Sequence, residues 1–355
     1  LIVVDLERSI LQIIRGEKKA PVTRACLAVL SLAYHAAINL RHLAYDLGIF
    51  PSTKLSIPVV SIGNLVAGGT GKTPLVHALA TALQDKIDIA ILSRGCKSLV
   101  EKSGSVKQIS TGLGPLFSAE ECGDEPYLLA QKTKGSVWVG IDRIKSGRLA
   151  KEQGAKCLLL DDGMQHRRLK RDFEIVVIDG LDPFARGRYL PWGLLRDSPK
   201  RLRKASLIVI SHCKDTAHFN QLKTHIARYS KAPVVAAQMQ ILNPEQFIPR
   251  KVGVFCAIGQ PARFLQTVRD LKSEIVDTLI LNDHAQWQKP QLEAFAKRCW
   301  ELGAEALVCT EKDIVKLNFD TSSLKILPVK IQLKITEGKE HWQQLIVNIL
   351  DQVVT

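Results

Sequence analysis

The sequence predicts an α/β protein: a doubly wound, mainly parallel sheet, a second and smaller α/β lobe, and an N-terminal membrane-docking helix. Three observations predict it. From Pro58 onward, continuous apolar runs alternate with helical stretches, as expected of parallel strands buried on both faces. After residue 250 the alternation restarts with strands and helices of its own. Ahead of both lies Ala25–Ile38, apolar apart from Ser31, Tyr34 and His35 and flanked by Lys18, Lys19, Arg24 and Arg41. The 355 residues suffice for more than one core, and 46% hydrophobic with 24% charged residues excludes a disordered chain.

Taken in order, Leu6, Ile10, Ile13 and Ile14 share one face of an early helix that ends at the polar break Arg15–Lys19. A second helical stretch runs from Val22 to Leu47 and stops near Gly48 and Pro51. Its 14-residue apolar part would rise roughly 21 Å as a helix, short of a hydrocarbon core of about 30 Å. It therefore reads as docking on a membrane surface. A buried core helix is the bland alternative. Export as a signal peptide would carry the phosphate loop described below away from cytoplasmic ATP.

The larger sheet draws on Val59–Ile62, Ile87–Leu92, Val137–Val139, Cys157–Leu160, Ile175–Ile178 and Leu207–Ile210. The smaller lobe follows as Val252–Ile258, a helix over Pro261–Leu271, Ile275–Leu281, a helix over Pro290–Leu302, and Ala306–Cys309. Two flanking runs, Pro233–Gln240 and Ile326–Ile335, are expected to pair as a two-stranded connection between lobes, and Trp342–Val353 closes the chain as a helix. The boundaries are thus 1–50 for the N-terminal helices, 51–235 for the larger domain, 236–335 for the smaller lobe with its connection, and 336–355 for the last helix.

The charge balance, 49 Lys+Arg against 35 Asp+Glu, gives +14 and implies an anionic partner: nucleic acid, an acidic lipid surface or a phosphorylated substrate. Basic runs at His166–Arg171 and Lys200–Lys204, with Arg186, Arg188 and Arg196 nearby, are either a solvated face or contacts to headgroups or a substrate phosphate. Aromatic residues make up 6% and do not interleave with these charges, which disfavours nucleic acid. The eight cysteines form no CxxC pair, so metal clusters and redox motifs are not expected and a reducing compartment is.

The strongest local motif follows the first strand: Val59-Val-Ser-Ile-Gly-Asn-Leu-Val-Ala-Gly-Gly-Thr-Gly-Lys-Thr-Pro74. Gly68, Gly69 and Gly71 allow positive φ, so that successive N–H groups, with Thr70 among them, can face phosphate oxygens at the start of a helix over Thr73–Leu83. Lys72 would reach the β- and γ-phosphates and the Thr73 hydroxyl would bind Mg²⁺. Val66 stands where the pattern GxxxxGK[ST] has its first glycine. The fold class sharpens accordingly to a P-loop NTPase-like doubly wound sheet.

Asp161 and Asp162 end an apolar strand, the Walker B pattern, and adjacent acids there point different ways. Without a phosphate loop such acids are usually solvated turn residues. Gly123-Asp-Glu-Pro126 opens a helix, where Asp124 and Glu125 either complement the helix dipole or supply the carboxylate that accepts a proton from a substrate hydroxyl. Asp283-His284 is by default a surface hydrogen-bonded pair, and Thr310-Glu-Lys-Asp313 a helix cap.

The ordered set of motifs resembles the tetraacyldisaccharide 4′-kinase family, which phosphorylates the lipid A precursor. The matching segments are Ser61-Ile-Gly-Asn-Leu with Gly68-Gly-Thr-Gly-Lys-Thr-Pro74, Ser93-Arg-Gly95, Gly123-Asp-Glu-Pro126, Asp161-Asp-Gly-Met-Gln-His-Arg167, Pro191-Trp-Gly-Leu-Leu-Arg196, Asp283-His284 and Thr310-Glu-Lys-Asp-Ile-Val-Lys-Leu317. The resemblance implies that Asp124, tuned by His284, is the base acting on the sugar 4′-hydroxyl, and that Lys72 stabilises the transferring γ-phosphoryl. It implies that Thr73 and an acid among Asp161, Asp162 and Asp197 hold Mg²⁺, and that Asn64, Arg94, Glu125, Gln165 and His166 arrange the site. The implied partners are ATP, an acylated disaccharide phosphate lipid and the cytoplasmic face of the bacterial inner membrane; a monomer is expected. The sequence departs from the family at Cys96, where Tyr is usual, at Asp197, commonly Glu, and at Trp192, typically small.

The rival reading is a membrane-associated ATPase switch of the deviant Walker type with no small acceptor. Its signature lysine would fall at position 67, which is Ala67. A non-enzymatic scaffold binding nucleotide and acidic lipid is a third class, opposed by Lys72, Thr73 and Asp161.

Overall fold

Strand β1 (Val59–Asn64) is the pivot of the larger sheet, fully buried and paired on both edges by parallel neighbours. The computed structural model describes residues 13–14, 20–248 and 250–354, so the early helix expected over residues 6–14 lies almost wholly outside the described residues. The remaining strands are β2 (Ile89–Ser93), β3 (Val106–Ser110), β4 (Ser136–Gly140), β5 (Cys157–Asp161), β6 (Phe173–Asp179), β7 (Leu207–Ser211), β8 (Val234–Ile241), β9 (Lys251–Cys256), β10 (Glu274–Ile280), β11 (Ala306–Thr310), β12 (Lys325–Val329) and β13 (Ile331–Glu337). The nine-stranded sheet has the order β13-β8-β7-β6-β1-β5-β2-β4-β3. Its seven inner strands run parallel, and β13 and β3 close the two edges antiparallel.

The helices are α1 (Pro21–Asp46), α2 (Lys72–Leu83), α3 (Leu99–Ser103), α4 (Ala119–Cys122), α5 (Asp124–Lys132), α6 (Arg143–Glu152), α7 (Thr216–Ile226), α8 (Pro261–Asp270), α9 (Lys289–Glu301), α10 (Glu311–Ile314) and α11 (Lys339–Val354). Strand periodicity assigns alternate residues to opposite faces. Val60 and Ile62 pack with α2, α5 and α11 in one cluster, whereas Val59 joins Ala150 of α6 on the other side. Leu75, Leu79 and Leu83 recur one helical turn apart and are wholly buried, which pins α2 and the loop before it to the sheet. Each such side chain contributes roughly 1.5–3 kcal/mol.

The smaller sheet, β10-β9-β11-β12, is parallel throughout, with α8 on one face and α9 on the other. Six of the eight cysteines, Cys157, Cys256 and Cys309 among them, are buried, and all eight are free thiols.

Three differences from the sequence reading have simple causes. Edge strand β3 was not expected, because Val-Lys-Gln-Ile-Ser has too few apolar positions to announce a strand. The run Ile326–Ile335 is two strands rather than one. It breaks at Lys330, β12 completing the smaller sheet and β13 pairing antiparallel with β8. Since β8 also pairs with β7, that connection is the edge of the larger sheet itself. The buried Asn243 ties this crossing, its Nδ2 donating to Pro328 O at 3.0 Å and its Oδ1 accepting from Lys330 N at 3.0 Å.

The third difference is one of reach: α1 lies where the stretch Val22–Leu47 was expected, but the whole helix, not its 14-residue apolar part, sets how far it can span. It runs 26 residues and is long and apolar enough to cross a membrane by length and composition. It is not a core helix, for of its residues only Leu27, Ser31 and His42 are buried. Val29, Leu30, Leu32, Leu40 and Leu43 are exposed. A polar row on the inner side anchors it: Ser31 Oγ to Tyr189 O at 2.9 Å, Tyr34 Oη to Arg196 O at 3.1 Å, and Arg41 to Gln165 O at 2.8 Å.

Candidate active site

The chain leaves β1 toward β2 on one side and returns to β6 on the other, so a crevice opens at the carboxyl end of β1, where doubly wound sheets bind ligands. Residues 64–71 line it, together with the ends of β2, β5, β6 and β7. Gly68 and Gly71 have φ of 115° and 93°, and Gly71 caps α2. A side chain at either would be strained. Asn64, fully buried, laces the loop together: its Nδ2 donates to Val66 O at 2.7 Å and Thr70 Oγ1 at 2.8 Å, and its Oδ1 accepts from Arg196. Gln165 Nε2 donates to Asn64 O at 3.0 Å, and Ser211 Oγ to Thr70 O at 3.0 Å. The missing first glycine is also explained. Val66 bridges Leu195 in extended backbone, and Ala67 N donates to Leu194 O at 2.7 Å. An extended residue needs no glycine.

The paired acids have different partners. Asp161, buried at the end of β5, accepts from Ser93 Oγ at 3.3 Å through Oδ2, while its Oδ1 is buried with no hydrogen-bond partner. Burial first, then the charges of Glu125 and Asp162, pushes its carboxyl up to about 7. Asp162 follows with φ of 51°, which turns its side chain to the Lys72 ammonium at 3.6 Å and to Arg196 at 2.9 and 3.1 Å. Burial opposes its ionisation, but Lys72 and Arg196 prevail and hold it at about 2.

From the turn before α5 comes the third acid. Gly123, at φ 95°, lets the chain change direction between α4 and α5, so Asp124 begins α5 with its side chain buried. Its Oδ2 accepts from His284 Nδ1 at 3.1 Å. A carboxylate only accepts, so Nδ1 of His284 carries the proton. His284 belongs to the smaller lobe, at φ 63°, its own N–H donating to Ala257 O at 3.3 Å. The pair Asp283-His284 persists, with His284 Nε2 3.8 Å from Asp283 Oδ1, and the contact between lobes is added to it. Glu125 pairs with Lys312, whose charge draws the Glu125 carboxyl down against burial, and Lys132 meets Glu311 at 2.6 Å. On the far side of the crevice Arg263 reaches Asp179 at 2.7 Å. A cavity of about 160 Å³ adjoins Asp124 and His284, walled by Cys96, Lys97, Lys102 and Gly123.

Not every expected residue is gathered here. Arg94 is exposed and bonds Glu101 at 2.6 Å. Asp197 is buried, its Oδ1 committed to His42 Nε2 at 2.8 Å and Ser198 N at 2.9 Å, with no bond to Lys72, Asp161 or Asp162. It ties α1 to the site instead. His166 Nε2 is buried without a partner, and burial followed by the charges of Arg143, Arg168 and Arg171 lowers the ring to about 4, so it is neutral near pH 7.

Two functional candidates escaped the sequence reading. Arg143, buried at the start of α6, donates to Gly140 O and places its charge near Asp161; burial lowers it to about 10. Lys316 lies 3.4 Å from Asp124 Oδ2. Arg143 had no motif to mark it. Lys316 lay in the family-like segment 310–317 but was given no role there; the cap expected over residues 310–313 is present, Thr310 Oγ1 accepting from Asp313 N at 3.2 Å.

Among the described residues no three His, Cys, Asp or Glu side chains form a metal cluster. A kinase Mg²⁺ needs fewer, since one or two protein oxygens and the substrate phosphates fill its shell. The orphaned Asp161 Oδ1 and the Thr73 hydroxyl in the first turn of α2 suit that requirement.

Residues 23–351 match the family described as tetraacyldisaccharide-1-P 4′-kinase. The tetraacyldisaccharide 4′-kinase of Chlamydia pneumoniae is 36% identical over 311 residues, covering 83% of this chain and 82% of that protein. The one from Halothermothrix orenii is 32% identical, covering 93% and 95%. Among solved structures, LpxK from Aquifex aeolicus in complex with ATP superposes with a TM-score of 0.73 at 30% identity, covering 92% of this chain and 99% of that one.

Proposed function

The chain belongs to the tetraacyldisaccharide-1-P 4′-kinase family, and on that premise we propose that it transfers the γ-phosphoryl group of ATP to the 4′-hydroxyl of an acylated disaccharide 1-phosphate. The observation that carries the reading is the pairing of Asp124 with His284 at 3.1 Å on the rim that also holds Lys72 and Asp162.

The chemistry asks little covalent work of the protein and much positioning. The amides of residues 68–73 cradle the phosphates, and the start of α2 adds its partial positive charge. Lys72, 3.6 Å from Asp162 Oδ1, supplies the positive charge that meets the γ-phosphate. Asp124 takes the proton of the 4′-hydroxyl on Oδ1 as the oxygen attacks phosphorus, while His284 holds Oδ2 and fixes the carboxylate's direction. Thr73 and Asp161 would hold Mg²⁺, which when bound neutralises charge on the β- and γ-phosphate oxygens. Since Asp124 and His284 lie on different lobes, the base is complete only with the lobes together, which limits transfer to water.

The lipid substrate supports placing α1 on the cytoplasmic face of the inner membrane. Its exposed leucines face outward, while Arg41 and His42 bind Gln165 and Asp197 beside the phosphate loop. Lys200, Arg203 and Lys204 lie next to its C-terminal half, where anionic headgroups would meet them.

The test is phosphate transfer from γ-labelled ATP to a tetraacyl disaccharide 1-phosphate in mixed micelles. The parent protein is expected to label the lipid, and Lys72→Ala and Asp124→Ala to lose at least about 10²-fold in rate. ADP release without labelled lipid would favour the switch ATPase instead.

A further inference from the structure

Lys316 is the least expected charge in the molecule. Its side chain is 1% exposed, yet it is a lysine. Its ammonium donates to Ala257 O at 3.3 Å and lies within ion-pair distance of two carboxylates, Asp313 Oδ1 at 3.6 Å and Asp124 Oδ2 at 3.4 Å. Two of these belong to the smaller lobe and one to the larger. The anchor is itself well built, for the fully buried Asp313 accepts from Ala257 N at 2.9 Å, Trp287 Nε1 at 3.3 Å and Thr310 Oγ1 at 2.6 Å. Lys316 is therefore aimed from a rigid base.

Other charges surround Asp124. Asp283 and His284 follow β10, and Lys312 and Asp313 belong to α10. Glu125 is its neighbour, Lys97, Lys102 and Glu120 line the adjoining cavity, and Lys72 lies beyond Glu125. Most are otherwise engaged: Lys312 pairs with Glu125, Lys97 with Asp283 O, and Lys72 with Asp162. His284 lies between two carboxylates, Asp124 Oδ2 at 3.1 Å and Asp283 Oδ1 at 3.8 Å. Lys316 is thus the buried full positive charge in direct contact with the base, and it uses the same oxygen as His284, leaving Oδ1 for the incoming proton.

We propose that Lys316 is a positioning residue of the reaction: arriving with the smaller lobe, its ammonium holds Asp124 ionised and oriented, so that lobe contact arms the base. The inference rests on the 4′-kinase reading above. It adds a second determinant of the base beside His284, one that acts through charge.

The experiment measures kcat against pH for lipid phosphorylation, with ATP affinity and Tm alongside. Lys316→Met alone strands the Asp313 carboxylate, so the decisive protein is Asp313→Asn/Lys316→Met, which removes both charges. Its expected kcat falls on the order of 10²-fold. Its acid limb moves up by about one pH unit or more, as loss of a neighbouring cation raises a carboxylate pKa, and its ATP affinity is unaltered. Lys316→Arg keeps the limb of the parent. On an Asp124→Asn background, Lys316→Met brings no further loss of kcat. An unmoved limb with kcat near the parent value in the double variant overturns the proposal. So does a limb shift in Lys316→Arg, even if the methionine proteins do not fold. A parent protein that labels no lipid would instead refute the kinase reading.

Discussion

Lys72 Nζ stands 3.6 Å from Asp162 Oδ1, so the loop lysine forms an ion pair with an acid at the neighbouring strand end. Nucleotide must take Lys72 from Asp162, and Asp162 keeps Arg196 as its remaining partner. Asp162→Asn weakens the hold on both. The expected outcome is a fall in kcat of about 10²-fold with a smaller change in ATP affinity, read by steady-state phosphorylation and by titration with a fluorescent ATP analogue. A kcat equal to the parent's would remove Asp162 from the working site.

His284→Ala takes away the partner of Asp124 and leaves residues 68–73 untouched. Turnover should drop by about 10²–10⁴-fold, with ATP binding within twofold of the parent. Calorimetric titration with ATP and an assay at saturating lipid separate the two effects. Equal losses in both would mean that the histidine shapes the nucleotide site.

Asp161 gives a pH signature in the ligand-free protein. Its folded pKa, about 7, lies above the unfolded carboxylate value, so the native state binds the extra proton between about pH 4 and 7. Stability therefore falls as pH rises through that window. Asp161→Asn should abolish this loss, raising Tm relative to the parent at pH 8 and leaving it little altered at pH 4. A thermal denaturation series across pH checks the sign. The reverse order at pH 8 would show that Asp161 is stabilised as an anion.

The outer side of α1 can be altered without touching the core. Leu32, Leu40 and Leu43 are exposed, so Leu32→Ser/Leu40→Ser/Leu43→Ser should leave Tm within a degree or two. Vesicle binding should fall at least about tenfold, because each leucine withdrawn from lipid forfeits about 1.5–3 kcal/mol. Flotation with anionic vesicles measures it. Undiminished binding would mean that α1 does not meet the membrane.

Asn243→Ala tests the crossing between the two sheets. The substitution leaves Pro328 O and Lys330 N without their side-chain partner. A loss of about 1–3 kcal/mol is expected for such buried backbone groups, read from urea denaturation. A smaller loss would show that solvent replaces the side chain.

Most of the fold was legible because burial on both faces forces continuous apolar runs, and those runs sit where the parallel strands are. Polar edges carry no such mark, which is why β3 went unseen and why the break at Lys330 did not show between two apolar stretches. In the site, residues whose placement depends on local backbone could be read: Gly68, Gly71, Lys72 and Asp161 follow from a strand, a turn and a helix in order. Arg143 and Lys316 could not. Each matters through a neighbour distant in sequence, Asp161 for one and Asp124 for the other, and nothing local distinguishes them from a solvated basic residue. Asp197 is a different case: the resemblance implied a metal role for it, and the structure places its Oδ1 2.8 Å from His42 Nε2.

The smaller sheet is inserted between two adjacent antiparallel strands, β8 and β13, and the outgoing and returning chains meet where Leu242 N donates to Lys330 O at 2.9 Å. A body hung from two tethers one hydrogen bond apart can swing like a door, but it can hardly slide or twist. A single rotation would therefore carry His284 and Lys316 toward Asp124 together. Timing between them needs no relay of its own, because the hang of the door supplies it.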